Sequence, residues 1–179
     1  MLTSAGALSV GNIGAPAISL NSICQLPAQT SNDLFAGGNI SSGHGFATEW
    51  DGAGSRTVQM ASGPNIAGNI NAMLCGTTMY HYAAGDNGAM VRRAVNGMKQ
   101  ETNWSTVNTN VTSTIRAMWS YSDNFMMAVG DGGVILTSDG TTWTKMTSGT
   151  TANLRAIWGT SPINVLAVGE NGTVLRYTP

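Results

Sequence analysis

The sequence predicts an all-β fold assembled from repeated antiparallel sheets, and three observations carry that prediction. The stretch from Thr114 to Arg176 repeats itself. Shifted by 39 residues, Thr114 to Thr137 falls on Asn153 to Arg176, with Arg116/Arg155, Ala117/Ala156, Trp119/Trp158, Ala128/Ala167, Gly130/Gly169 and Gly133/Gly172 among the identical pairs. A self-match at a period of about 40 residues marks a repeat architecture. The apolar runs are short and separated by glycine turns, which makes each unit a small antiparallel sheet. Finally, 23 glycines and only five prolines among 179 residues suit a chain full of tight turns and argue against long helices.

The same frame extends toward the N-terminus. Ile70, Ala72, Met73 and Leu74 stand where Ile115, Ala117, Met118 and Trp119 stand later, and Ala83, Gly85 and Gly88 match Ala128, Gly130 and Gly133. A more divergent copy begins at Leu20, with Ile23 and Cys24 in its first strand and Leu34 to Gly38 in its second. Its turn is expanded to six residues, Asn39 to His44, before Gly45 resumes the pattern. Each copy adds a third strand, such as Val134 to Thr137, and a fourth, from about Thr142 to Thr147. Trp143 precedes Leu154 by the same distance as Trp104 precedes Ile115, so both indoles are expected in equivalent slots between neighbouring sheets, where a large buried ring dominates the packing. The final copy stops at Pro179 without a fourth strand, and residues 2–14 have no inner strand of their own. Pairing that segment as the missing outer strand of the last sheet would remove an exposed edge. The expected architecture is one domain over residues 1–179, a small β-propeller of four antiparallel four-stranded blades. The blades span about 20–68, 69–113, 114–152, and 153–179 with residues 2–14 closing the last.

Composition narrows the functional classes. Apolar residues make up 42% of the chain, enough for a core, whereas only 9% are charged against roughly 25% in ordinary domains. A net charge of −1 supplies no field for nucleic acid or an anionic membrane, and no run of about 18 apolar residues exists to span a bilayer. The N-terminus lacks the basic start of a secretory signal. Cys24 and Cys75 do not make a disulfide framework, and they read as two buried thiols packed as small apolar groups, with pairing left open.

The pattern L-R-A-I-W-G-T-S…V-L-A-V-G-E-N-G-T-V-L-R from Leu154 to Arg176, with D-G-T-T-W at Asp139 to Trp143 closing a blade, resembles the Asp-box or bacterial-neuraminidase-type repeats of photosystem-assembly-factor-like β-propellers. The resemblance covers Thr114 to Arg176 in full and Ile70 to Trp104 in part, and thins toward the N-terminus. It implies that the box from Ser138 to Trp143 is a folding device on the outside of the blade. It also implies more blades than this chain carries, so either the ring is unusually tight or two chains complete a larger one.

Three sets of residues are candidate sites. The expanded loop, with Asn39, Ser41, Ser42 and His44, departs from the repeat, and loops on a rigid scaffold are where binding accumulates. Asn21, Asn71, Arg116 and Arg155 share the second position of successive inner strands and would form a polar collar at a central channel, suited to an anion or a sugar hydroxyl. Asp86, Asp131 and Glu170 share a turn position and are the candidates for a hard cation, which needs six to eight converging oxygens; as Asp-x-Gly and Glu-x-Gly turns they also read as ordinary hairpin chemistry, and no metal or cofactor is expected. Sialidase chemistry needs an arginine cluster, a tyrosine nucleophile and a nearby acid, and the six arginines and four tyrosines scatter over repeat positions. His81 falls where the other copies have Leu34, Met126 and Val165, so it reads as a strand residue. The sequons at Asn39, Asn103, Asn110 and Asn171 carry no weight without a secretory signal.

The expected function is non-catalytic: a structural or attachment protein of an extracellular assembly, such as the decoration, tail or fibre of a phage or virus particle. The alternatives are a protein-interaction scaffold or assembly factor, cytoplasmic or exported, and a small carbohydrate-binding propeller. The expected partners are other proteins of an assembly, with glycans or a second copy of the chain beside them, and neither nucleic acid nor an inserted membrane.

Overall fold

A computed structural model describes residues 18–25, 34–40, 45–50, 55–56, 68–75, 78–94 and 104–179. Among them are four antiparallel meanders, each with its strands paired in chain order. The first sheet holds β1 (Ile18–Gln25), β2 (Leu34–Ile40), β3 (Gly45–Trp50) and β4 (Ser55–Arg56). The second holds β5 (Ile70–Leu74), β6 (Tyr80–Gly85), β7 (Met90–Ala94) and β8 (Ser105–Thr106). The third holds β9 (Ile115–Ser122), β10 (Phe125–Gly130), β11 (Ile135–Ser138) and β12 (Trp143–Met146). The fourth holds β13 (Leu154–Ser161), β14 (Asn164–Gly169) and β15 (Val174–Tyr177).

The repeated Ala-x-Gly has a geometric cause. The inner strands carry the pairs Leu20↔Gly38, Ile70↔Gly85, Ile115↔Gly130 and Leu154↔Gly169, and in each case the next residue of the inner strand is bulged out of the ladder. The bulge brings the chain so close that a Cβ on Gly85 would lie 1.7 Å from the Asn69 carbonyl oxygen, and one on Gly130 would lie 2.1 Å from that of Thr114. Glycine is required there for close approach. In the hairpin that follows, Asn87 and Gly88 both take positive φ, and the Ala89 N–H donates to the Asp86 carbonyl at 3.0 Å, the two-residue turn that matches strand twist. The sequences Asp131-Gly132-Gly133 and Glu170-Asn171-Gly172 repeat it.

The core lies between the sheets. The second and third sheets each present one face to the sheet before and the other to the sheet after, following the period-two alternation of strand side chains. Leu74, Tyr82, Ala84 and Met90 of the second sheet meet Ile115, Met126, Ala128 and Leu136 of the third. Trp143 fills that joint, edge-on to Tyr82 with ring centroids 5.8 Å apart. Trp104 takes the corresponding place on the second sheet's face toward the first, and both indoles are 4% exposed, as their equal spacing predicts.

Three expectations change. The inner strands pack in the order β1, β5, β9, β13, but β13 does not return onto β1, so the described sheets form an open arc. The fourth sheet has three described strands, and residues 2–14, expected to close it, lie outside the described residues. The six-residue turn is shorter than expected. Asn39 pairs with Ser19 on one side and Gly45 on the other, so β2 runs through Ile40 and only residues 41–44 remain between the strands. Finally, Cys24 and Cys75 form a disulfide with Cα atoms 5.6 Å apart, in place of two free thiols. The inner strands β1 and β5 run side by side, which brings together two residues 51 apart in sequence.

Candidate functional site

The bulge decides where the collar residues point. Asn21, Asn71, Arg116 and Arg155 are each skipped by the register directly after the glycine-paired residue of their inner strand. A bulge takes a residue out of the alternation and re-aims its side chain, which is why bulges recur beside functional sites. In three sheets that side chain turns to the acid of its own hairpin. Asn71 Nδ2 donates to Asp86 Oδ1 at 3.0 Å, while the backbone N–H and side-chain amide of Asn69 both donate to Asp86 Oδ2 at 2.9 Å. Arg116 grips Asp131 with two parallel bonds, Nε to Oδ1 at 2.9 Å and Nη2 to Oδ2 at 2.6 Å. Arg155 pairs with Glu170 and also stands 3.9 Å from Asp131, joining the third and fourth sheets. Asn153 links the same two sheets, donating to Glu170 at 2.9 Å and accepting from the Gly132 N–H at 2.9 Å. The first sheet has no acid at this position, and Asn21 instead donates to the Ile70 carbonyl of the second sheet at 2.9 Å.

The sequence presented these residues as two sites, a collar and a ring of acids, and the structure makes them one. Asp131 and Glu170 neutralise the arginines of their own sheets, so the arginines are not a free anion trap, while Asp86 is held by the neutral amides of Asn69 and Asn71. The acids do not converge on a cation either: among the described residues no group of three or more His, Cys, Asp or Glu side chains is placed to hold one. The bidentate bond from Arg116 lowers the pKa of Asp131 below the usual carboxylate range, and the same bond raises that of Arg116. The side chains stay part-exposed, from 28% for Asp131 to 47% for Arg155. What results is a line of charge-neutral, part-exposed ion pairs along one end of the sheets. Such a line suits exchange with the polar groups of a polypeptide, which a bidentate guanidinium binds through carboxylates or carbonyls.

The other candidates fall elsewhere. Asn39 is a paired strand residue, and Ser41, Ser42 and His44 lie outside the described residues. His81 is a strand residue 3% exposed, as its alignment with Met126 and Val165 predicts. Burial first, and then the charge of Arg93, lower its pKa to about 4, so it is neutral near pH 7. Asp139 works locally: its Oδ1 accepts from the Thr141 and Thr142 N–H groups, each at 2.9 Å, and these bonds hold its pKa far below the usual range. Gly140 takes φ +94° and its N–H donates to Ser138 Oγ at 3.1 Å, which completes the turn between β11 and β12.

One feature of the surface was not anticipated from sequence. Trp158, Leu166, Val168 and Val174 line the outer face of the fourth sheet and are exposed. Their signal was the 39-residue shift itself, which places Trp158 on Trp119 and Leu166 on Met127.

The sequence profile of the DUF6242 beta propeller domain matches residues 49–179. No curated protein matches the chain. Among solved structures, YCF48 from Cyanidioschyzon merolae superposes with a TM-score of 0.70 at 18% identity, over 93% of this chain and 53% of that one. A structure of YCF48 bound to D1 peptide superposes with a TM-score of 0.63 at 19% identity, over 90% of this chain and 50% of that one. The chain thus spans about half the length of both structures, and at these identities the likeness is one of fold.

Proposed function

The chain belongs to the DUF6242 β-propeller domain family, and on that premise we propose that it is a non-catalytic interaction scaffold, an assembly factor that holds an extended segment of another protein. The observation that supports this reading is the line of part-exposed ion pairs running through Arg116, Asp131, Arg155 and Glu170. A peptide that carries acidic and basic side chains together can pair with the arginines and with the acids they release, whereas a small anion would leave a displaced internal carboxylate unpaired. The likeness to a propeller solved with a peptide bound points the same way. The Asp-box turn from Ser138 to Trp143 serves the scaffold, pinning the hairpin that delivers Trp143 into its joint.

The test is an array of unstructured peptides of varied charge, probed with the labelled chain. Binding is expected for peptides that carry acidic and basic side chains together, and it should fall at least tenfold in an Arg116→Ala/Arg155→Ala variant whose circular dichroism is unchanged. Equal retention of the two proteins across the array would sink the reading.

A further inference from the structure

The two ends of the arc are the two halves of one joint. Between the third and fourth blades, Trp119, Met127, Val129 and Ile135 on one side pack against Leu154, Ile157, Val165 and Ala167 on the other. Moving the first set along by one repeat gives Trp158, Leu166, Val168 and Val174. Met127 and Val129 are 2% and 0% exposed, whereas Leu166 and Val168 are 43% and 41% exposed, and Trp158 is 65% exposed. The fourth blade therefore carries the face that would receive a following blade, and it is open.

The complementary face is open at the other end. Leu20 pairs with its glycine as Ile70, Ile115 and Leu154 pair with theirs, and those three are fully buried against the preceding blade. Leu20 is 46% exposed. Ile23 takes the place of Met73 and Ile157, which are buried, and is 66% exposed. Apolar side chains at this exposure, at positions that are buried or partly buried in the internal joints, mark a docking surface.

We propose that two copies of this chain associate head to tail, the fourth blade of each docking on the first blade of the other, so that two open arcs close into one ring of eight blades. A second copy satisfies both faces at once, because each described arc presents one open face of either kind. The contact continues a joint that the chain already makes three times, with Trp158 as its aromatic anchor. Among the described elements β13 does not pack on β1 as β1 packs on β5, β5 on β9 and β9 on β13, so the described arc is not closed on itself. The chain also superposes on about half the length of a longer chain. The contact is heterologous, and the rotation that closes it gives a two-fold ring in place of a filament.

Native mass spectrometry and sedimentation equilibrium of the whole chain test this. The expected mass is twice the 18.5 kDa of one chain, constant over a tenfold dilution range. Trp158→Asp and Ile23→Asp each remove one half of both contacts, so each variant alone is expected to run at half the wild-type mass. Mixed, they still share one intact contact and should form a heterodimer that neither forms alone. Because both side chains are exposed in the single chain, circular dichroism of the variants should match wild type. A wild-type monomer overturns the proposal, and so do variants that remain dimeric, a mixture that gives no heterodimer, or a mass that grows with concentration as a filament's would.

Discussion

The third and fourth blades carry nearly the same residues at the same positions, yet one is packed on both faces and the other on one. Met127 and Leu166 are a single repeat position, buried in the first case and open in the second. Gly133 and Gly172 are another: a Cβ on Gly133 would lie 2.0 Å from the Thr150 carbonyl oxygen, while one on Gly172 would meet nothing within 4 Å. The difference shows that a repeat position has no energetic value of its own. The neighbouring blade and the connection leading to it confer that value, so substitutions at matched positions separate the blade from its surroundings.

The largest effect is expected at Gly133. Its φ of +73° already disfavours a side chain, and the Thr150 oxygen in the way is backbone, which cannot rotate aside. Gly133→Ala should cost about 4 kcal/mol or more in urea unfolding, among the exceptional values for a single substitution. Met127→Ala comes next, at about 2 to 5 kcal/mol for truncating a buried side chain. Leu166→Ala, measured in dilute chain, should cost about 0.5 kcal/mol. Equal losses at Met127 and Leu166 would erase the distinction between the two faces.

The joint between the first and second blades differs from both, since it is covalent and partly polar. The Cys24–Cys75 bond closes a loop of 51 residues, and Cys24→Ser/Cys75→Ser should lower stability by about 2 to 4 kcal/mol. A reduced, alkylated sample that unfolds like the oxidised one would remove the bond from the account of this joint. His81 in the same joint supplies a pH test. Its pKa falls from 6.5 to about 4 in the folded chain, so the unfolded chain takes up the proton first. Stability is complete above about pH 6.5 and falls as pH drops toward 4, by about 3 kcal/mol at the end of that window. His81→Met, which installs the residue of the third blade, should flatten the profile in that window, and an unchanged slope would assign the acid sensitivity to other groups.

The blade order, the inner strands, the two-residue turns and the burial of Trp104, Trp143 and His81 were legible in the sequence, because each follows from aligning one repeat on another. The bulge was not. Asn71 between Ile70 and Ala72 reads as ordinary alternation, and only the ladder shows that the register steps over it. For the same reason the pairing of Arg116 with Asp131, 15 residues on, was hidden: it depends on a register that composition does not encode. The disulfide was hidden because the spacing of Cys24 and Cys75 within their repeats says nothing of how closely successive inner strands approach. The open faces were hidden for a converse reason. The repeat makes Trp158 look like Trp119, and what covers a face is a property of the next blade.

The smallest effect should come from Gly172→Ala. Gly133 and Gly172 share their positive φ, +73° and +69°, so the conformational cost of a Cβ is the same in both, about 1 kcal/mol. Only Gly133 has the oxygen of a following connection against it, the carbonyl of Thr150 on the path from β12 to β13. Gly172→Ala therefore isolates the dihedral cost, and the excess at Gly133 measures how tightly one blade is tied to the next. A loss of about 1 kcal/mol at Gly172 in dilute chain is the expected reading by urea unfolding. A loss as large as that at Gly133 would mean that a segment packs against this turn too, and would identify the end of the arc as covered.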